Sequence, residues 1–74
     1  MQIKVKLFAT LREGREREQT MDVASDITPS DIIKKLNIPL EDVAILFVNG
    51  RDGLMDQHLN DGDTLSIFPP VGGG

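Results

Sequence analysis

One window of this chain is written for a substantial α-helix, and it lies between regions of strand-like alternation. Thr28-Pro29-Ser30-Asp31 opens it. Thr28 can cap, Pro29 fits the first turn where no N–H is needed, and Asp31 completes a capping-box spacing. Ile32, Ile33 and Leu36 then make one apolar stripe, with Lys34 and Lys35 outside it. Pro39 forbids continuation beyond about Asn37. A single short helix can cover one face of a sheet and no more, which constrains everything around it.

On either side the period of the pattern falls to two. Met1, Ile3, Val5 and Leu7 share one face of a first strand, and Gln2, Lys4 and Lys6 the other. Phe8 breaks the phase and points outward if the strand continues. Arg12 to Glu18 is alternating charge around Gly14 and reads as a solvated loop. Glu18 to Val23 is a second alternating run, with Met21 and Val23 inward, and pairs with the first as a hairpin. Ala44 to Val48 is more continuously apolar, which predicts a more central strand. Asn49-Gly50 is a turn signal, Leu54-Met55 reads as a short edge strand, and Asn60-Asp61-Gly62-Asp63 turns into a last strand, Thr64 to Phe68. Leu65 and Ile67 face the core there, so Phe68 faces out.

The order is hairpin, helix, strand, short edge strand, strand. A helix crossing between strands demands a right-handed connection. The result is an α+β fold of the β-grasp or ubiquitin-like class, a mixed sheet of four to five strands packed on one main helix. With the first and last strands adjacent and parallel, Phe8 and Phe68 lie at the same end of the sheet, on the face away from the helix. Residues 1–68 make this domain, and residues 69–74 an extended, flexible tail.

Composition narrows the function. The 74 residues contain no cysteine, which excludes thiolate catalysis, thiolate metal sites and a disulfide-stapled scaffold. A net charge of −4 opposes nucleic acid as the main partner, because phosphate binding needs a basic face. No apolar run approaches the ~20 residues of a membrane span, and Met1 leads into a strand pattern rather than a signal peptide. The expectation is a cytoplasmic protein without a membrane partner.

Chemistry inside the body is hard to find. His58 has no nucleophile–base partner at a justifiable spacing and reads as an exposed loop residue. Asn60-Asp61-Gly62-Asp63 lacks the ligand register of a calcium loop, so no metal site is expected. Four acids and no lysine or arginine between Asp52 and Asp63 read as solvated turn surface. The end of the chain is different. Pro69 and Pro70 stiffen the root of a segment that continues through Val71 to Gly72, Gly73 and Gly74. Such a tail can thread a narrow passage where any Cβ would clash, at reduced entropic cost. The reading is that the Gly74 carboxylate is the reactive group, made attackable by adenylation.

The segment Leu-Asn-Asp-Gly-Asp-Thr-Leu-Ser-Ile-Phe-Pro-Pro-Val-Gly-Gly-Gly, residues 59–74, resembles the end of the small, sulfur-carrying subunit of molybdopterin synthase. Phe-Ala-Thr-Leu-Arg-Glu, Phe8 to Glu13, is similar to that family's signature after its first strand. Asp-Gly-Asp with a terminal Gly-Gly is shared with the thiamin-biosynthesis sulfur carriers; Phe-Pro-Pro-Val favours the molybdopterin branch.

The resemblance implies a carrier that is not an enzyme by itself and binds no cofactor. A ubiquitin-activating-like enzyme would use ATP to adenylate Gly74, and sulfur transfer would convert it to a thiocarboxylate. The tail would then enter the catalytic large subunit of the synthase and supply sulfur to the pterin precursor. Gly73 and Gly74 match the family's terminal pair, and Phe8 and Phe68 match apolar docking positions, with Leu54 and Met55 as further contributors. Gly72 stands where a larger residue is common, and Arg51-Asp52 where something more apolar is expected. Two alternatives stay open: sulfur delivery to thiamin or another pathway, and a ubiquitin-like modifier joined to lysines through Gly74.

Overall fold

The computed structural model describes residues 1–70. The expected β-grasp architecture is present, with five strands in the order β2-β1-β5-β3-β4. The first strand, β1 (Gln2–Leu7), pairs antiparallel with β2 (Glu18–Asp22) and parallel with β5 (Thr64–Phe68). On its other side β5 pairs antiparallel with β3 (Ile45–Val48), and β4 (Arg51–Asp52) closes that edge. The alternation in β1 does what its pattern asks. Ile3, Val5 and Leu7 are buried, as are Leu65 and Ile67 beside them on β5.

The helix α1 (Pro29–Lys35) is the only α-helix among the described residues and is held at both ends. At its start the Asp31 N–H donates to Thr28 Oγ1 at 3.3 Å, and the Thr28 N–H donates to Asp31 Oδ2 at 3.1 Å. The capping box thus satisfies two otherwise orphaned donors reciprocally. At its end Asn37 takes φ 58°. The Ile38 N–H then reaches the Ile33 carbonyl at 3.1 Å, and the Asn37 N–H that of Lys34 at 3.0 Å. These are the two bonds of a Schellman ending, tolerable at Asn because its short polar side chain permits the left-handed conformation. Ile38 then turns into the core before Pro39.

Ile32 and Ile33 are fully buried against the inward side chains of β1, β5 and β3, with Leu11, Val23, Ile27, Ile38, Leu46, Val48 and Leu59 completing the core. Leu36 and Met21 are half-buried at its margin.

Three expectations need correction. The edge strand is Arg51–Asp52, not Leu54-Met55. Asn49 (φ 53°) and Gly50 (φ 80°) both adopt positive φ, the twist of a two-residue hairpin turn. The chain therefore returns at once, setting Val48 opposite Arg51 and Phe47 opposite Asp52. Leu54 and Met55 fall in the next turn, where Gln57 Oε1 accepts the Leu54 N–H at 2.7 Å.

Second, β3 is not buried on both faces. Its apolar run alternates, with Leu46 and Val48 inward while Ile45 remains 46% exposed. Third, the segment from Arg12 is not wholly solvated. Arg15 Nε and Nη2 donate to the carbonyls of Leu36 and Asn37 at 3.4 and 3.1 Å, and Nη1 donates to the Leu11 carbonyl at 3.4 Å. Arg15 thus places a cation at the carbonyl end of α1 and ties the loop to it. The expected turn at Asn60–Asp63 is present, with Asp63 Oδ2 accepting the Asn60 N–H at 2.8 Å.

Thr28→Ala is expected to cost about 1 kcal/mol, read as a lower midpoint in denaturant with an unchanged slope. A midpoint equal to that of the parent chain would show that the cap does not limit the stability of α1.

Candidate docking face and the root of the tail

Phe8 ends the first strand region, and its N–H donates to the Ile67 carbonyl at 3.2 Å, so it stays registered beside the end of β5. The chain then reverses. Ala9 takes φ 52°, an uncommon and costly conformation for a residue with a Cβ, and Ala9–Arg12 forms one 3-10 turn. Leu11 of that turn plugs into the core, which holds the turn down. Phe8 therefore stands on the sheet face away from α1, where its ring stacks on Phe68 with centroids 4.2 Å apart and planes 9° apart.

Phe68 carries a second aromatic contact. Phe47 meets it edge-on, with centroids 5.6 Å apart and an interplanar angle of 79°. The register explains the meeting. Ile45 pairs with Phe68 and Phe47 with Ser66, whereas Leu46 pairs with Ile67 and Val48 with Leu65. One set faces the helix, and the other faces away from it. Phe8, Phe47 and Phe68 are all half-buried, by one another rather than by any covering element. Stacked and edge-to-face pairs of this kind contribute ~0.5–1.5 kcal/mol each beyond area burial.

Arg12 borders the cluster. Its Nε donates to the Leu7 carbonyl at 2.8 Å, and its guanidinium carbon lies 5.3 Å from the Phe8 ring centroid. Phe8 is thus flanked by Phe68 on one side and a cation on the other, a cation–π arrangement.

The expected pair Phe8 and Phe68 is brought together, and Pro69, half-buried, and Pro70, exposed, leave directly from it. Val71, Gly72, Gly73 and Gly74 lie outside the described residues. Leu54 and Met55 do not join the cluster. A Cβ on Gly53 would come within 2.5 Å of Leu46 and 2.8 Å of Val48, both inward side chains, and the Met55 carbonyl accepts the Ser30 N–H at 2.9 Å. That segment runs on the helix side of the sheet. Leu54 is 66% exposed there, and Met55 packs on the core.

Sequence reasoning missed Phe47 and Ile45. The signal was present: a continuously apolar strand in a sheet with one helix must leave half its side chains uncovered. Among the described residues, no three His, Cys, Asp or Glu side chains are grouped to hold a metal ion, and no helix is long and apolar enough to cross a membrane.

The arrangement defines a small ubiquitin-like β-grasp protein with an aromatic outer face at the root of its C-terminal segment. The chain belongs to the ThiS family, whose model matches residues 5–74, and so to the small sulfur-carrier and ubiquitin-like proteins. It is 29% identical to small archaeal modifier protein 3 of Haloferax volcanii, with the whole of both chains covered. Among solved structures it is similar to small archaeal modifier protein 1 of the same organism, at a TM-score of 0.80 and 30% identity over the full length of both. A candidate molybdopterin-converting factor subunit 1 from Pyrococcus furiosus matches with a TM-score of 0.77 and 29% identity, covering 96% of this chain and 99% of that one.

Ile67 is fully buried, so Ile67→Ala is expected to cost ~2–5 kcal/mol, most of what a domain this small possesses. Phe68→Ala removes two ring contacts from a face open to water and should destabilise less. It should weaken binding to an activating or catalytic partner by about 2 kcal/mol or more. Unfolding and titration of the two variants check this, and equal unfolding losses would place Phe68 in the core.

Proposed function

We propose that this chain is a sulfur carrier for molybdopterin biosynthesis, working through the carboxylate of Gly74. A carboxylate oxygen attacks the α-phosphorus of ATP in a ubiquitin-activating-like enzyme, and pyrophosphate leaves. Hydrosulfide then displaces AMP from the acyl adenylate to give the thiocarboxylate, which transfers its sulfur within a catalytic large subunit while water returns the acyl carbon to the Gly74 carboxylate. The chain itself supplies no acid, base or cofactor to these steps. It supplies a rigid body, a docking face and a thin, extended substrate.

The observation that carries this reading is the aromatic cluster standing at the root of Pro69-Pro70. Aromatic anchors left open to water are costly for a lone protein and commonly dominate interfaces. Seated on a partner, Phe8, Phe47 and Phe68 would aim Pro69 to Gly74 in one direction. Val71, Gly72 and Gly73 would then thread the passage, with glycine removing the Cβ that would block it. The Phe-Pro-Pro-Val sequence and the likeness to the Pyrococcus furiosus subunit support the molybdopterin branch.

A second reading has its own support. Two relatives matched over their whole length are named small archaeal modifier proteins. In that role the same acyl adenylate would pass Gly74 to a lysine amine, forming an isopeptide bond.

Mass spectrometry of the chain isolated from its own cells separates the two. Replacement of one terminal oxygen by sulfur marks the carrier, and covalent adducts on lysines mark the modifier. Deleting Gly74, or Gly73→Trp, is expected to abolish adenylation while leaving the melting temperature unchanged, because chain ends contribute little to packing. A large loss of thermal stability on deletion would mean that the tail is a packed element and overturn the proposal.

A further inference from the structure

We infer that the partner face received by the aromatic cluster presents a carboxylate, held in a basic cleft beside Phe8. This rests on the docking reading above and adds the chemistry of what docks. The cleft, of about 210 Å³, is lined by Lys6, Leu7, Phe8, Arg12, Arg17 and Glu18. Three of these side chains are cations and one is an anion, in a chain whose net charge is −4. The local sign is opposite to the global one.

The anion does not neutralise the cleft. Glu18 is shared between Lys4 and Lys6 at 3.9 Å each, with all three side chains about half exposed. Pairs of that length and exposure hold little energy. Arg12 is the organised cation. Its Nε bond to the Leu7 carbonyl and its position over Phe8 fix the guanidinium plane. Neither Arg12 terminal nitrogen has a hydrogen-bond partner among the described residues, and the Arg17 guanidinium makes neither a hydrogen bond nor a salt bridge there. A planar fork held on one side and open on the other suits a carboxylate, which it grips with two parallel bonds.

The geometry also states how that carboxylate arrives. The Arg12 guanidinium carbon is 5.3 Å from the Phe8 centroid, so a group that reaches its open nitrogens also meets the aromatic cluster, and the docking segment offers a carboxylate beside an apolar side chain. Residues four apart on a helix present two such groups side by side, at about 5–6 Å between Cβ atoms. The occupant is therefore an acidic–apolar protein segment. A free anion would gain nothing from the adjoining rings.

The test measures association of the full chain with the adenylating enzyme purified from the same cells, across a range of salt. Lys6→Glu with Arg17→Glu is expected to slow association about tenfold at low salt and to flatten its salt dependence, while dissociation is little changed. Phe68→Ala should do the reverse and speed dissociation. An association rate and salt dependence equal to the parent's in the charge-reversed chain would overturn the inference, even with the Phe68 effect intact.

A second measurement needs no enzyme. A helix-stapled peptide with Leu and Glu four residues apart, titrated into the full chain, should shift the NMR signals of Lys6, Arg12 and Arg17 as well as those of the aromatic cluster. The same peptide with Gln for Glu should shift only the aromatic cluster. Equal shifts from both peptides, or none from either, would overturn the inference whatever the fate of the tail.

Discussion

A sheet has two faces, and the described residues bring one α-helix to cover them. Ile32 and Ile33 close one face over β1, β5 and β3, burying Ile3, Val5, Leu7, Leu65 and Ile67 almost completely. Among the described residues no second layer covers the other face, so whatever apolar character the strands carry there stays at the surface. Most of that face is made harmless by lysine, glutamate, threonine and serine. The exception is the end where Phe8, Ile45, Phe47 and Phe68 converge, the face that the proposed docking would cover.

That asymmetry was legible in the sequence to different depths. The capping box and the alternation in β1 and β5 are local rules with one outcome, and they located the helix and the inward side chains. The out-of-phase Phe8 and Phe68 were readable for the same reason. The hairpin after β3 was not, because Asp52-Gly53 follows Asn49-Gly50 after a single residue and only the positive φ of both Asn49 and Gly50 shows which pair closes the sheet. Placing the strand at Leu54-Met55 followed hydrophobicity, whereas backbone pairing was decided by the turn. Arg15 was out of reach for a different reason: its partners are carbonyls at Leu36 and Asn37, twenty-odd residues away, and backbone oxygens leave no mark in a sequence.

Membership of the ThiS family joins two uses of the same design, sulfur delivery and protein modification. The body treats both alike. Phe8, Phe47 and Phe68 lie at one end of the sheet and Pro69-Pro70 leave from the same place, so in either proposed use the docking face and the reactive end are a few residues apart. In the docking proposed above, specificity among partners belongs to the rim of the aromatic cluster, where Arg12, Arg17 and Lys6 distinguish this surface from a merely greasy one.

The last strand has a mechanical aspect. Because β5 lies between β1 and β3, parallel to one and antiparallel to the other, a pull on Pro69 acts along the strand axis and loads the hydrogen bonds of both neighbours together. Strands loaded in shear share the strain among all their bonds; strands peeled from an edge break them one at a time. A segment that leaves from Pro69 is thus anchored on a strand with a paired neighbour on each side. Had it continued from β2 or β4 instead, the same pull would have been borne by the bonds to one neighbour rather than two.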